Sequence, residues 1–231
     1  MCGRYVQTSS PAALGERFHV DEVRIEASEP DFNVAPRREL PVVLERDDVR
    51  VLERLRWGLV PAWAKDPTIG DRMINARAET VASKPAFKGA FTRRRCIIPA
   101  DGFFEWQVVP GHRQKQPYFI FGRDRLPLAF AGLWETWRDP SDPDASRISS
   151  FVIVTTSPNK LLAAVHDRMP VILEESAWDA WLEPTNHDVD ALVQMLAPAD
   201  EEVLDLYAVG TAVNRPENHG ADLVVPLPAD A

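Results

Sequence analysis

The sequence predicts an α+β fold: one compact domain across residues 1–231, with a predominantly antiparallel, barrel-like β core and peripheral helices. Three observations carry that prediction. The length of 231 residues, with 45% apolar and 26% charged side chains, suits a globular domain that buries a sizeable core. Short β-forming runs bounded by Gly, Pro and Asp outnumber helical segments. No internal repeat and no shift of composition marks a second domain.

Taken along the chain, Ser10-Pro11 supplies a cap and a first-turn proline for a helix running to about Phe18. Val49 to Leu55 alternates apolar and polar residues, the period of a half-buried strand. Tyr118 to Phe121, Leu128 to Trp134 and Phe151 to Val154 are further strands, and Asp139-Pro140-Ser141-Asp142-Pro143-Asp144 is a surface loop between the last two. Ser157-Pro158 opens a helix through Asn159, Lys160, Leu161 and Leu162 to about Val165. Two more helices run from about Glu175 to Leu182 and from about Asp188 to Leu196, with Val189, Leu192, Val193 and Leu196 at helical spacing in the second.

No apolar run approaches the roughly 20 residues of a membrane span, and the start MCGRYVQTSS lacks the apolar stretch of a secretory signal, so a cytoplasmic protein is expected. Of the two cysteines, Cys96 in Cys96-Ile97-Ile98-Pro99 reads as a small buried residue, and no disulfide to Cys2 is expected in a reducing compartment. A net charge of −9 argues against a broad basic face for nucleic acid. Local clusters remain: Arg54 and Arg56, Arg72 and Arg77, then Arg93, Arg94 and Arg95, each of which taken singly reads as solvated surface charge. Neither a cofactor nor a metal is expected.

Cys2 follows the initiator methionine, which is ordinarily trimmed before a small residue. Trimming leaves a 1,2-aminothiol, with an amine of pKa about 8 and a thiol of about 8.5 on one residue. The amine condenses with an aldehyde to an imine, and the sulfur closes a five-membered thiazolidine, longer-lived than a Schiff base. The ring-opened sugar of an abasic site in DNA presents such an aldehyde. Two other readings stay open: an ordinary small residue after Met1, and an N-terminal nucleophile hydrolase whose amine serves as base for the thiol.

Other polar positions lie in apolar settings. Glu105 sits between Phe104 and Trp106, where desolvation would raise its pKa toward a proton-shuttling range, or it points to water from a strand. His166 in His166-Asp167-Arg168-Met169-Pro170 handles protons or interacts with a helix C-terminus. Asn75 and Arg77 share one side of an extended segment and suit a sugar-phosphate, unless Asn75 is a helix cap. Trp57 and Trp63 flank a Pro-broken apolar segment and either stack on bases or fill core.

In their order, Met1-Cys2-Gly3-Arg4-Tyr5, Asn33-Val34-Ala35-Pro36, Trp57-Gly58-Leu59-Val60-Pro61 with Trp63, Asn75-Ala76-Arg77-Ala78-Glu79, Arg94 through Trp106 and His166 through Pro170 resemble the SOS-response-associated peptidase family over nearly the whole chain. The resemblance implies that Cys2 forms the thiazolidine, Asn75 orients its amine and the sugar, Glu105 moves protons, and His166 assists at the sugar end and in reversal. It implies phosphate contacts at Arg4, Arg77 and Arg168, and a DNA cleft lined by Asn33, Pro36, Trp63 and Trp106. The implied partners are single-stranded DNA carrying abasic sites and single-strand/duplex junctions, engaged by a nucleoid-associated monomer with β-elimination (lyase) as a side activity. No replication-clamp motif is expected before Ala231. Alternatives are a Cys2-dependent (auto)peptidase and a non-covalent single-strand binder. Phe104 stands where the family commonly has Tyr, and Gly210 where Ser is frequent, which leaves the role of Val209 to Asn214 open.

Overall fold

A computed structural model describes residues 2–142 and 144–228. Met1, whose removal is expected above, Pro143 in the expected loop and the last three residues of the expected domain lie outside the described residues. In chain order the elements are β1 (Tyr5–Gln7), α1 (Pro11–Arg17), β2 (Glu22–Val23), β3 (Asp31–Val34), β4 (Glu39–Arg46), β5 (Val49–Trp57), β6 (Asn75–Arg77), α2 (Ala78–Val81), α3 (Lys88–Arg93) and β7 (Arg95–Ala100). There follow β8 (Gly102–Gln107), β9 (Gln116–Gly122), β10 (Leu128–Trp137), β11 (Ile148–Thr156), α4 (Lys160–Ala163), β12 (Met169–Pro170), α5 (Trp178–Leu182), α6 (Val189–Gln194) and β13 (Leu204–Ala208).

The barrel is a ring of five strands. β5, β4, β7, β10 and β11 pair antiparallel in that order, and β11 returns to β5 in parallel through Ser150 opposite Arg56 and Phe151 opposite Trp57. Closure removes the free edges that would otherwise leave backbone groups unpaired. Beyond that seam β6 takes over the same edge of β11, with Asn75 opposite Ile153 and Arg77 opposite Thr155. A second antiparallel sheet, ordered β13-β9-β8-β1-β3, stands against the barrel.

Strand alternation divides the buried side chains between two cores. Val43, Leu52, Ile97 and Val152 pack with Phe18, Phe91, Trp178, Trp181 and Leu192 of the surrounding helices. Val42, Val51, Ile98, Phe130 and Phe151 face the other way and meet Tyr5, Phe103 and Ile120 of the second sheet. Cys2 and Cys96 are both fully buried in this second core, and both thiols are free.

The link from β5 to β6 requires glycine twice. Gly58 has φ +123°, and a Cβ there would stand 2.6 Å from the Gly70 carbonyl oxygen, while a Cβ on Gly70 would meet the Gly58 oxygen at 2.6 Å. This close crossing folds residues 58–74 back on the barrel, where the Trp57 indole N–H donates to Ile74 O at 2.9 Å and fixes the start of β6.

Three expectations need correction. The helix after β11 is capped by Asn159, whose Oδ1 accepts from Leu162 N at 2.9 Å, and not by Ser157, so it starts later than Ser157-Pro158 suggests. In α6 only Leu192 and, beyond its end, Leu196 face the core, while Val189 and Val193 are exposed, because the helix docks along a narrow stripe. Arg95 is not part of a basic surface cluster: it is buried, and its guanidinium donates to the carbonyls of Phe91, Trp181, Glu183 and Asn186 at helix ends. Among the described residues no helix is long and apolar enough to cross a membrane.

Candidate functional site

Phe104 N donates to Arg4 O at 3.0 Å and Tyr5 stands opposite Phe103, so the chain before β1 runs antiparallel to Phe104–Trp106. That register brings Cys2 and Gly3 beside Glu105 on β8. From the barrel side, Asn75 Nδ2 donates to Cys2 O at 2.9 Å. Asn75 is therefore not a helix cap; its Oδ1 is buried and has no hydrogen-bond partner among the described residues, which leaves an acceptor next to Cys2.

His166 closes the turn after α4, its N–H donating to Leu162 O at 2.9 Å. Its Nδ1 accepts from Arg168 N at 3.0 Å, which directs Nε2 toward Glu105 Oε2, 3.7 Å away. The exposed Asp167 carboxylate lies 3.1 Å from the same Nδ1. Four segments far apart in sequence thus converge and bring Cys2, Asn75, Glu105 and His166 together.

Burial dominates the electrostatics. Glu105 is only 2% exposed, and desolvation pushes its carboxyl up to about 7, so both protonation states are populated near neutrality. Burial lowers the pKa of His166, which keeps it neutral at pH 7. Burial, and after it the Glu105 charge, pushes the Cys2 thiol far above its ordinary range. The sulfur is therefore a protonated thiol at neutral pH.

The site opens into a cleft of about 590 Å³ lined by Glu105, Trp106, Gln114, Lys115, His166 and Asn214. Trp106 is half-buried, its Nε1–H donating to Asn214 Oδ1 at 2.7 Å. Asn214 belongs to the stretch whose role the sequence left open, and Gln114 and Lys115, in the β8–β9 loop, carry no pattern that sequence reasoning could have used.

The expected DNA-contact residues fall into two groups. Arg77 and Trp63 are exposed, Trp63 by 60%, and Trp63 lines a bowl of about 760 Å³ that also carries Arg37, Lys65 and Arg72. Pro36 lines a separate recess with Arg38, Glu217 and His219. Trp57, by contrast, is fully buried. Asn33 is also fully buried: its amide donates to the carbonyls of Val213, Arg215 and Asn218, and its Oδ1 accepts from Arg4 Nη1 at 2.8 Å. It ties β3, Arg4 and the loop carrying Asn214 together instead of facing outward. Arg168 is bound to Glu79 and to Thr155 O, which anchors the His166 turn on β11. Of the remaining arginine clusters, Arg56 pairs with Asp71 and Arg94 with Glu135, and Arg54 donates to two carbonyls.

Comparison with known proteins places this geometry in a lineage. The family described as "SOS response associated peptidase (SRAP)" matches residues 1–216. Abasic site processing protein YoqW of Bacillus subtilis (strain 168) is 40% identical over 225 residues, covering 97% of this chain and 99% of YoqW. Abasic site processing protein HMCES of Rattus norvegicus is 30% identical over 234 residues, 85% of this chain and 65% of HMCES. A solved structure from Bacteroides thetaiotaomicron shares the fold, with a TM-score of 0.87 at 24% identity over 98% of this chain and all of that one. The crystal structure of a phage-related protein from Bordetella bronchiseptica superimposes with a TM-score of 0.68 at 31% identity, over 90% of this chain and 94% of its own. With a match across residues 1–216 and relatives of this similarity, the chain belongs to the SOS response associated peptidase family.

Proposed function

We propose that the protein is a DNA-repair protein that processes abasic sites in single-stranded DNA, and at junctions with duplex, by capturing the ring-opened sugar on Cys2 once Met1 is removed. The observation that carries the reading is the convergence on Cys2 of Asn75, at 2.9 Å from its carbonyl, with Glu105 and His166, themselves 3.7 Å apart. The names of YoqW and HMCES point the same way.

The Cys2 amine attacks the sugar aldehyde, and the carboxyl of Glu105 donates a proton to the carbinolamine hydroxyl, which leaves as water and yields the imine. The thiol sulfur then adds to the carbon of the protonated imine, its proton returns to the Glu105 carboxylate, and the thiazolidine ring closes. One water is released and no electrons are exchanged, so the linkage is reversible. A carboxyl with pKa about 7 suits both proton steps. Neutral His166 hydrogen-bonds the freed sugar hydroxyl and assists at the sugar end in reversal. If the imine loses a proton from the sugar before the ring closes, β-elimination cleaves the strand.

Arg77, Trp63 and Pro36 contact the strand directly, whereas Arg4, Asn33 and Arg168 act chiefly by holding the walls of the cleft. The high pKa of the buried thiol weighs against a peptidase working through a standing thiolate. The test is a denaturing gel with an abasic oligonucleotide and intact-mass measurement of the protein. A shifted band is expected from the protein lacking Met1, and none from Cys2→Ala. An unshifted wild type, or an adduct that survives Cys2→Ala, would remove the reading.

A further inference from the structure

The cleft over Glu105 does not end at its rim. Trp106, Lys115 and His166 also line a second recess of about 420 Å³, together with Val108 and Ala163–Val165. A ridge made of a half-buried indole and an exposed ammonium therefore stands between two adjoining hollows.

The chemistry of the surroundings says what the ridge faces. Glu105 and Asp167 both bear on the cleft, in a chain of net charge −9, and a polyanionic strand entering there needs local positive charge. Arg4 and Arg168 are already committed to protein acceptors, and Arg95 is buried. Lys115 is the cation among the residues lining the two hollows, and it makes no ion pair among the described residues. Its charge lies close enough to act on both Glu105 and His166.

We infer that Lys115 binds the backbone phosphate joining the reacting nucleotide, seated over Glu105, to its neighbour, whose base lies in the Val108 recess beside Trp106. An ammonium on a flexible stem suits a phosphate as a point charge, and an aromatic face suits a neighbouring base. The inference rests on the proposed function and adds a subsite to it.

The probe is a single-stranded oligonucleotide carrying a tetrahydrofuran spacer, which has no aldehyde and so reports non-covalent binding alone. Its affinity is measured between 50 and 200 mM salt for wild type, Lys115→Gln and Lys115→Arg. One lost phosphate contact on a single strand lowers the log–log salt slope by about 0.7, so over this fourfold range the wild type should lose about 2.5-fold more affinity than Lys115→Gln. Lys115→Arg should follow the wild type. Equal slopes for wild type and Lys115→Gln overturn the inference. Because Lys115 is exposed, the substitution does not threaten the fold. An abasic oligonucleotide run in parallel separates the two ideas: a wild type that forms no adduct fails the proposed function, whereas adduct formation with equal slopes fails the phosphate contact alone.

Discussion

Arg95 and Glu105 are charged side chains on consecutive strands, each only 2% exposed, and their surroundings differ in kind. Arg95 reaches the carbonyls of Phe91, Trp181, Glu183 and Asn186, at 2.8, 2.6 and 3.2 Å for Phe91, Trp181 and Asn186. Burial brings its pKa down only to about 10, so the guanidinium stays a cation at any physiological pH. Glu105 lies opposite a neutral imidazole 3.7 Å away and beside Cys2, and burial moves its pKa to about 7. Full satisfaction by backbone carbonyls locks a buried charge into one state and makes it architecture. Desolvation beside a neutral imidazole leaves a buried carboxyl near its ionisation point, where a proton can be moved at little cost.

The largest expected effect tests the second half of that contrast. Glu105→Gln keeps the shape of the side chain and removes its proton transfer, so adduct formation with an abasic oligonucleotide should slow by roughly 10²- to 10⁴-fold at pH 7. A time course on denaturing gels reads the rate directly. A change of only a few-fold would mean that Glu105 is no more chemical than Arg95.

Arg95→Met tests the first half and should act on stability alone. Several carbonyls at the ends of α3 and α5 would lose their donor inside the core, costing about 3 kcal/mol or more, visible as a lower midpoint in urea denaturation. The folded fraction should form adduct at the wild-type rate. A slowed rate with an unchanged midpoint would reverse the roles assigned to the two residues.

The barrel was largely legible because strand period and burial leave a mark on local sequence. Val49 to Leu55, Leu128 to Trp134 and Phe151 to Val154 all fall within strands of the ring, and Ser10 caps α1 with its hydroxyl 3.2 Å from Ala13 N. What local pattern cannot carry is which partner a polar group meets. Glu105 between two aromatics reads the same whether it faces water or Cys2. Asn33 and Arg95 look like surface polar residues until distant carbonyls surround them. Ser157 and Asn159 are both good caps, and only the packed backbone selects the second. The site was readable through its motif resemblance, since it is built from four segments that no periodicity connects. Lys115, which carries no motif, and the place of Asn214 against Trp106 came from the fold alone.

The smallest expected effect concerns stability against pH, and it isolates the poised carboxyl from its chemistry. In the unfolded chain Glu105 ionises in the ordinary range near 4.5, whereas in the folded chain it does so at about 7. The folded state therefore holds the proton more tightly, and the stability this confers is complete below the unfolded value and lost as pH rises through about 7. Glu105→Gln carries no such dependence. The variant should accordingly gain Tm relative to wild type between pH 5 and pH 8, by a few degrees at roughly 2–4 °C per kcal/mol for a chain of this size. Arg95→Met has no titration in that window, so its deficit should stay level across the same series. If the Glu105→Gln difference were equally flat, the carboxyl would ionise at the same pH folded and unfolded, and burial would not be what readies it for proton transfer.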